Sequence, residues 1–458
     1  MTKINRRKFV QQSGTFTAGA MIIPSLGSYS PANKLNIAYI GVGGRGRANL
    51  KKSVRLNDAG VAENNVVALC DVDDRRASES YDQFPKARRF KDFRKMFDTM
   101  GSEIDAVVIT TPDHTHFAAA MHAMQLGKHV YVDKPLAHNI WQLRTLKKAA
   151  KHYNVISQMG NQGHTTDGIR KVKEWYDAGV LGEVKEVIAW FNAINFKPTG
   201  YFDKPAIFPP ANEPIPEGVD WDLWLGPASV RRYSKYYLPK LWRGWYEYGN
   251  GLLGDWSCHT LDAPFWTLDL GMPTKVESIT QTDMVDGFVP TSSKIKYHFP
   301  KRGSKPPVTL TWSEGIKPKI RPEWGVTELG RNGMIMVGSK KSLITGGRPN
   351  EPKLLVSNEE WQAFQENMPA QTIPRVGQED PQGEWLNAIK GTGPMPGSVF
   401  EYGASLTEMA LVGVLAQRSN MDIEYDAANM KVKGKPEFDQ YIKERTRTGW
   451  SYGEDLWK

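Results

Sequence analysis

The sequence predicts an α/β fold in two parts: an N-terminal doubly wound parallel sheet, then an α+β domain with a large open, predominantly antiparallel sheet. Three observations point there. Apolar strand-like runs alternate with amphipathic helical stretches over residues 34–157, the pattern of a parallel sheet covered on both faces. From about Gly160 the alternation stops, and strand candidates follow one another between loops rich in proline and aromatics. At 458 residues the chain is too long for one ordinary core, so two domains are expected. The boundaries follow these changes: a signal and linker over 1–30, the first domain over 31–158, the second over 159–425 and a C-terminal tail over 426–458.

In order, Ile37–Ile40 is a short apolar β-type run that feeds directly into Gly41-Val42-Gly43-Gly44-Arg45-Gly46. This G-x-G-x-x-G follows a strand and opens a helix, as a Rossmann dinucleotide-binding turn requires. Gly41 permits the tight turn, Gly43 has no Cβ to hold a pyrophosphate away, and Gly46 lets the helix pack close to the sheet. The helix N-terminus, including Gly44 and Arg45, faces the phosphates. Val66–Cys70 reads as the second strand and ends at Asp71, 25 residues beyond Gly46, where a carboxylate accepts hydrogen bonds from the adenosine ribose. Asp71 repels a 2′-phosphate, which favours NAD over NADP; Arg75 and Arg76 argue the other way. Further strands are expected over 104–109, 129–132 and 154–158, with helices over 115–126 and 140–153. In the second part the expectations are a helix over 169–178, strands over 184–190, 276–281, 295–299, 308–312, 334–337 and 342–345, and helices over 383–390 and 405–418.

Composition excludes several classes. The net charge is +9, but basic residues are dispersed among acids, so no nucleic-acid partner is expected. No stretch approaches the ~20 apolar residues of a membrane span. Cys70 and Cys258 are the only cysteines; each lies in an apolar segment and reads as a small core residue. No cluster with metal-ligand spacing is present, and no metal is expected. Asn5-Arg6-Arg7-Lys8-Phe9-Val10, followed by a weakly apolar run to Leu26, reads as a twin-arginine export signal, which implies a periplasmic protein that folds before export. No A-x-A precedes Ser28, so the segment is either cleaved elsewhere or retained as a tether.

Three segments hold the chemistry. Thr110-Thr111-Pro112-Asp113-His114-Thr115-His116 and Asp133-Lys134-Pro135 each follow a parallel strand, at the end where open α/β sheets bind ligands. In the third, Gly249–Asp262, Asp255 and His259 are four apart and share one helix face. Oxidising a secondary alcohol needs a base for the hydroxyl proton, and histidine titrates in the right range. A cation beside the same oxygen, which Lys134 can supply, stabilises developing alkoxide charge.

Together these segments resemble the Gfo/Idh/MocA family of oxidoreductases, which includes glucose–fructose oxidoreductase and inositol dehydrogenase. The matching features are Gly41-x-Gly43-x-x-Gly46, the Thr-Pro-x-x-x-His of Pro112 and His116, Asp133-Lys134-Pro135, and the D-x-x-x-H of Asp255 and His259. Asp133 departs from the commoner Glu. The resemblance implies a sugar site on the face of the second sheet, which often also forms an oligomer interface, so a homo-oligomer is expected. It implies that Lys134 and His259 flank the reacting hydroxyl, that Asp255 assists, and that Thr111, Pro112, His116 and Asp133 belong to the nicotinamide side. For His116, a packing role capping the helix is an equal alternative. Segments 158–164 and 242–246 look like those of exported sugar-active members, which makes Gln162, His164, Arg243, Trp245 and Tyr246 candidate substrate contacts. His164 has two other readings, a loop histidine satisfied by backbone and a metal ligand. The leading function is an NAD(H)-dependent oxidoreductase acting on a secondary hydroxyl, possibly C-3, of a sugar or glycoside. The alternatives are an NAD-dependent glycosidase resembling the exported α-N-acetylgalactosaminidases, and a binding module without chemistry.

Overall fold

The computed structural model describes residues 34–55, 60, 62–192 and 202–458. The twin-arginine segment lies outside the described residues. Six strands, β1 (Leu35–Ile40), β2 (Asn64–Cys70), β3 (Arg88–Phe90), β4 (Ala106–Ile109), β5 (His129–Asp133) and β6 (Ser157–Gly160), form one sheet in the order β3-β2-β1-β4-β5-β6. Every pairing is parallel. Ile37, Ala38, Val107 and Val130 are fully buried, as strands covered on both faces require. The order reverses between β1 and β4, so the chain ends leaving those strands diverge and open a crevice.

Two local departures from expectation have physical causes. The strand expected over 154–158 begins at Ser157, because Asn154 takes a left-handed φ of 52° and serves the turn that ends the preceding helix. β3 went unpredicted because its polar Arg88 and Arg89 lie exposed on a sheet edge, where side chains need not be apolar.

The second sheet has nine strands. They are β7 (Val184–Phe191), β8 (Lys275–Thr282), β9 (Ser292–Phe299), β10 (Val308–Glu314), β11 (Asn332–Gly338), β12 (Leu343–Gly346), β13 (Lys353–Leu354), β14 (Ile423–Asp426) and β15 (Lys431–Val432). Their order is β13-β12-β11-β7-β10-β9-β8-β14-β15. β7 and β10 run parallel, while β9–β10, β8–β9 and β7–β11 are antiparallel. Along β9 and β10, buried Ile295, Tyr297, Phe299, Leu310 and Trp312 alternate with half-exposed Lys294, Lys296, His298, Thr309 and Thr311, so one face is dry. The helix Phe400–Ser419 lies against that face. Gly413 makes the approach possible, since a Cβ there would stand 1.8 Å from the Tyr297 hydroxyl.

Two later segments return to the first sheet. The helix Pro381–Ile389 packs Trp385 against Tyr131, with ring centroids 5.8 Å apart, and the Trp385 indole donates to the Ile156 carbonyl. Near the C-terminus, Trp457 stacks on Trp141 and donates to Thr145 Oγ1. The aromatic-rich stretch after residue 202 also reaches back: Asp220 N donates to Val72 O at 2.8 Å, and Asp74 N to Gly218 O at 3.1 Å. This lays the segment along one rim of the crevice. No described helix is long and apolar enough to cross a membrane.

Candidate active site

At the glycine turn, Gly41 has φ 78° and donates its N–H to Cys70 O. A Cβ on Gly46 would lie 1.8 Å from Gly41 O, so the helix Arg45–Val54 starts hard against the turn. Gly43 meets a further requirement beside the expected one: a Cβ there would meet the Arg76 Cβ at 2.8 Å, so this glycine also admits the neighbouring helix. Among the described residues no side chain caps the helix N-terminus at Gly44, which leaves its backbone donors for an anion.

Asp71 closes the turn from the second strand. Its carboxylate accepts from Val42 N at 2.8 Å, Gly43 N at 3.2 Å and Asp73 N at 3.0 Å. A carboxylate offers about four acceptor sites, so this one anchors the turn and retains capacity for a ribose hydroxyl. Burial raises its pKa above the ordinary value. Arg75, a possible 2′-phosphate partner, is committed to Asp73 through Nε and Nη2 at 2.8 and 2.7 Å. Arg76 lies over the turn, its Nη2 2.6 Å from where a Gly44 Cβ would be.

A single cavity runs from this turn to the second domain. Its walls include Gly41, Gly43, Gly44, Arg45, Asp71, Thr111, Pro112, Asp133, Lys134, Gln162, Arg243 and His259. At the far end, Lys134 Nζ forms an ion pair with the Asp255 carboxylate and donates to the Asp255 carbonyl at 3.1 Å. Arg243 Nε stands 3.9 Å from the other Asp255 oxygen. Asp255 and His259 share a face of the helix Gly251–Thr260, so Asp255 holds the lysine while His259 opens on the cavity. His259 is buried, and its Nδ1 finds no partner among the described residues. Burial first, then the positive charges of Lys134, Arg348 and Arg45, hold its pKa well below the ordinary value. The imidazole is therefore neutral at physiological pH and able to accept a proton. Asp133 Oδ2 lies 3.4 Å from Arg45 Nε, and its Oδ1 is buried without a partner among the described residues.

Six expected residues stand outside the lining of this cavity: Gly46 and Asp255, which act from behind it as described, and four others. His116 spans two backbone carbonyls, Pro135 O at 2.8 Å and Thr111 O at 2.9 Å. It ties the two strand-end loops together, which is the packing alternative. His164 faces Asp262 instead, with Nδ1 3.0 Å from Oδ1; Asp262 also accepts from Asn161 Nδ2 and the Tyr402 hydroxyl. That network braces the loop after β6. Trp245 is buried among Tyr237, Phe208 and Phe288, and its indole donates to Tyr236 O. Tyr246 is buried and donates to Gln417.

Conversely, Asp113, Trp256 and Arg348 line the cavity but were not singled out. Asp113 is buried, and burial together with the Asp255 charge pushes its pKa up to about 7. Its place in the Thr-Pro-Asp run was the available signal. Arg348 comes from a loop with no motif.

Residues 35–161 match the oxidoreductase family, NAD-binding Rossmann fold, and residues 165–305 match that family's C-terminal alpha/beta domain. The chain belongs to the Gfo/Idh/MocA family. A glycosyl hydrolase family 109 protein of Shewanella pealeana is 29% identical over 188 residues, which are 33% of this chain and 40% of that protein. Inositol 2-dehydrogenase of Burkholderia multivorans is 27% identical over 150 residues, 32% of this chain and 43% of the relative. The chain thus spans less than half the length of these curated relatives. The inositol dehydrogenase homolog of Azotobacter vinelandii, solved with NADH and myo-inositol, has a TM-score of 0.54 at 17% identity, covering 86% of this chain and 98% of its own. WlbA dehydrogenase of Bordetella pertussis, solved with NADH and UDP-GlcNAcA, has a TM-score of 0.57 at 17% identity, over 86% and 99%. These two show the fold. The uncapped helix end, the positive-φ glycines and the spare capacity of Asp71 fit NAD on this chain's own residues.

Proposed function

We propose that this family member is an NAD(H)-dependent oxidoreductase that oxidises a secondary hydroxyl of a sugar or glycoside, C-3 being one candidate position. One observation supports it above others: the glycine turn, Lys134 and His259 line a single cavity. The turn would hold the pyrophosphate, Asp71 the adenosine ribose, and Thr111, Pro112 and Asp133 the nicotinamide side. NAD, when bound, supplies the hydride acceptor. His259, which lines the cavity, takes the hydroxyl proton. Lys134, held by Asp255, stands beside the same oxygen and stabilises its developing negative charge. Mass spectrometry of the purified chain for co-bound dinucleotide, then a sugar screen at the nicotinamide absorbance, tests this. A chain that binds NADH yet turns over no sugar would overturn it.

A redox-neutral glycosidase is the second reading, favoured by the aligned stretch shared with the family 109 glycosyl hydrolase. Release of nitrophenol from a nitrophenyl glycoside without added NAD and without net cofactor reduction would select it. The same proposal assigns the enzyme to the periplasm through its Arg6-Arg7 segment, which cell fractionation tests. Light scattering tests whether copies associate through the nine-stranded sheet.

A further inference from the structure

Beyond Asp71 the cavity ends against a wall drawn from three distant parts of the chain. β2 and β3 pair as far as Cys70 and Phe90, and Asp71 N donates to Phe90 O at 3.0 Å. Segment 91–93 therefore leaves the sheet beside Asp71. Phe93, Thr115, Ala119 and Trp224 line the cavity, and so does Trp450 from the C-terminal tail. The Trp450 ring lies 5.8 Å from that of Phe93, edge to face. A Cβ on Gly226 would stand 3.1 Å from Thr115 Cγ2 and 3.6 Å from Trp450 Cζ3. Trp450 thus sits between the segments that follow β3 and β4.

The tail is pinned in that position. Arg447 pairs with Asp222 at 2.6 Å and donates its N–H to Pro227 O at 3.0 Å, and Trp450 N donates to Arg447 O at 3.1 Å. Arg94, bonded to Asp92 through Nε at 3.0 Å and Nη2 at 2.7 Å, rests its guanidinium 4.0 Å over the Trp450 ring. Trp450 is buried by these contacts and still borders the cavity. A ring fixed in advance loses no rotamer freedom when a flat ligand meets it. Nicotinamide belongs at Lys134 and His259, on the other side of the glycine turn, so the base beyond Asp71 is adenine.

We propose that Trp450 is an adenine contact, and that the C-terminal tail thereby completes the dinucleotide site. This rests on the placement of the adenosine ribose at Asp71 given above. The purine exchanges water for the apolar surface of Trp450 and Phe93, a contact open to any base because every base presents a π-face. Affinity for the whole dinucleotide then depends on the last residues of the chain, far in sequence from the glycine turn.

The test is calorimetric titration of the full chain, stripped of co-purified dinucleotide, with NADH, ADP-ribose and reduced nicotinamide mononucleotide. ADP-ribose keeps the adenine; the mononucleotide lacks it. Trp450→Ala should weaken NADH and ADP-ribose alike by about 10- to 100-fold, the range of a base–aromatic contact. Trp450→Phe should recover NADH affinity to within about fivefold of the parent chain. The mononucleotide should bind parent and variant equally, or neither. Should Trp450→Ala not melt cooperatively, Trp450→Leu keeps the apolar bulk and should still weaken NADH by at least about threefold. NADH affinity within about twofold of the parent in a folded variant overturns the inference and leaves the cofactor reading intact. So does a Trp450→Phe that binds NADH no better than Trp450→Ala. A loss for the mononucleotide as large as that for NADH shows collapse of the whole site and overturns it as well. If the parent chain binds neither NADH nor ADP-ribose, the cofactor reading itself fails.

Discussion

Replacing Asp113 by Asn should stabilise the protein at alkaline pH and do much less in acid. Burial and the neighbouring Asp255 charge lift this carboxyl from its ordinary 3.8 to about 7, so the folded state holds a proton that the unfolded chain releases earlier. Native stability contributed by this group is therefore intact below pH 3.8, falls as pH climbs toward 7, and stays lost above it. At ~1.4 kcal/mol per pH unit, a rise of about three units costs the native state about 4 kcal/mol at pH 8.5 and under ~2 kcal/mol at pH 5. Asparagine keeps the shape and carries no charge. For a cooperative chain of this length, unfolding entropy near ~2 cal/mol/K per residue converts 4 kcal/mol to about 4 °C. Paired thermal denaturation of both proteins by tryptophan fluorescence, at pH 5 and pH 8.5, reads the difference. An equal Tm difference at the two pH values, or a variant that is less stable only at pH 8.5, would refute the reasoning.

Lys134→Met should lower kcat by about 10²–10³, the usual cost of removing a group that stabilises developing oxygen charge. NADH affinity, followed by fluorescence, should stay within about threefold. Gly46→Ala places a methyl where Gly41 O already stands, so NADH binding should be abolished or the protein destabilised by more than ~2 kcal/mol; titration together with a thermal melt distinguishes the two. Asp262→Asn weakens the buried contacts to His164, Tyr402 and Asn161 and should cost ~1–3 kcal/mol. Sugar KM should hold, because His164 is a brace; a raised KM with an unchanged melt would restore it as a substrate contact.

The parts legible in the sequence were those set by local rules. The strand, the glycine turn and Asp71 lie within one βαβ unit, where spacing dictates geometry, and Asp255 and His259 lie one helical turn apart. Long-range partners were hidden. Nothing near His164 announces Asp262, 98 residues away, and without that carboxylate the histidine reads as free. Trp245 and Tyr246 come from a stretch dense in aromatics, where composition cannot say which rings turn inward and which line a cavity. Asp113 sits in plain view within a motif, but its unusual proton affinity arises from burial beneath a second domain. Arg348 belongs to a loop with no pattern, and only tertiary structure seats it over Trp256.

The return of the helix Pro381–Ile389 to the nucleotide-binding sheet has a consequence for how the chain is made. Tyr131 is covered by Trp385, so the first half to leave the ribosome stays incomplete until most of the second half has followed. Cutting the gene after residue 160 would yield a sheet with a bare apolar flank that aggregates, whereas supplying residues 375–395 as a separate peptide should rescue its solubility.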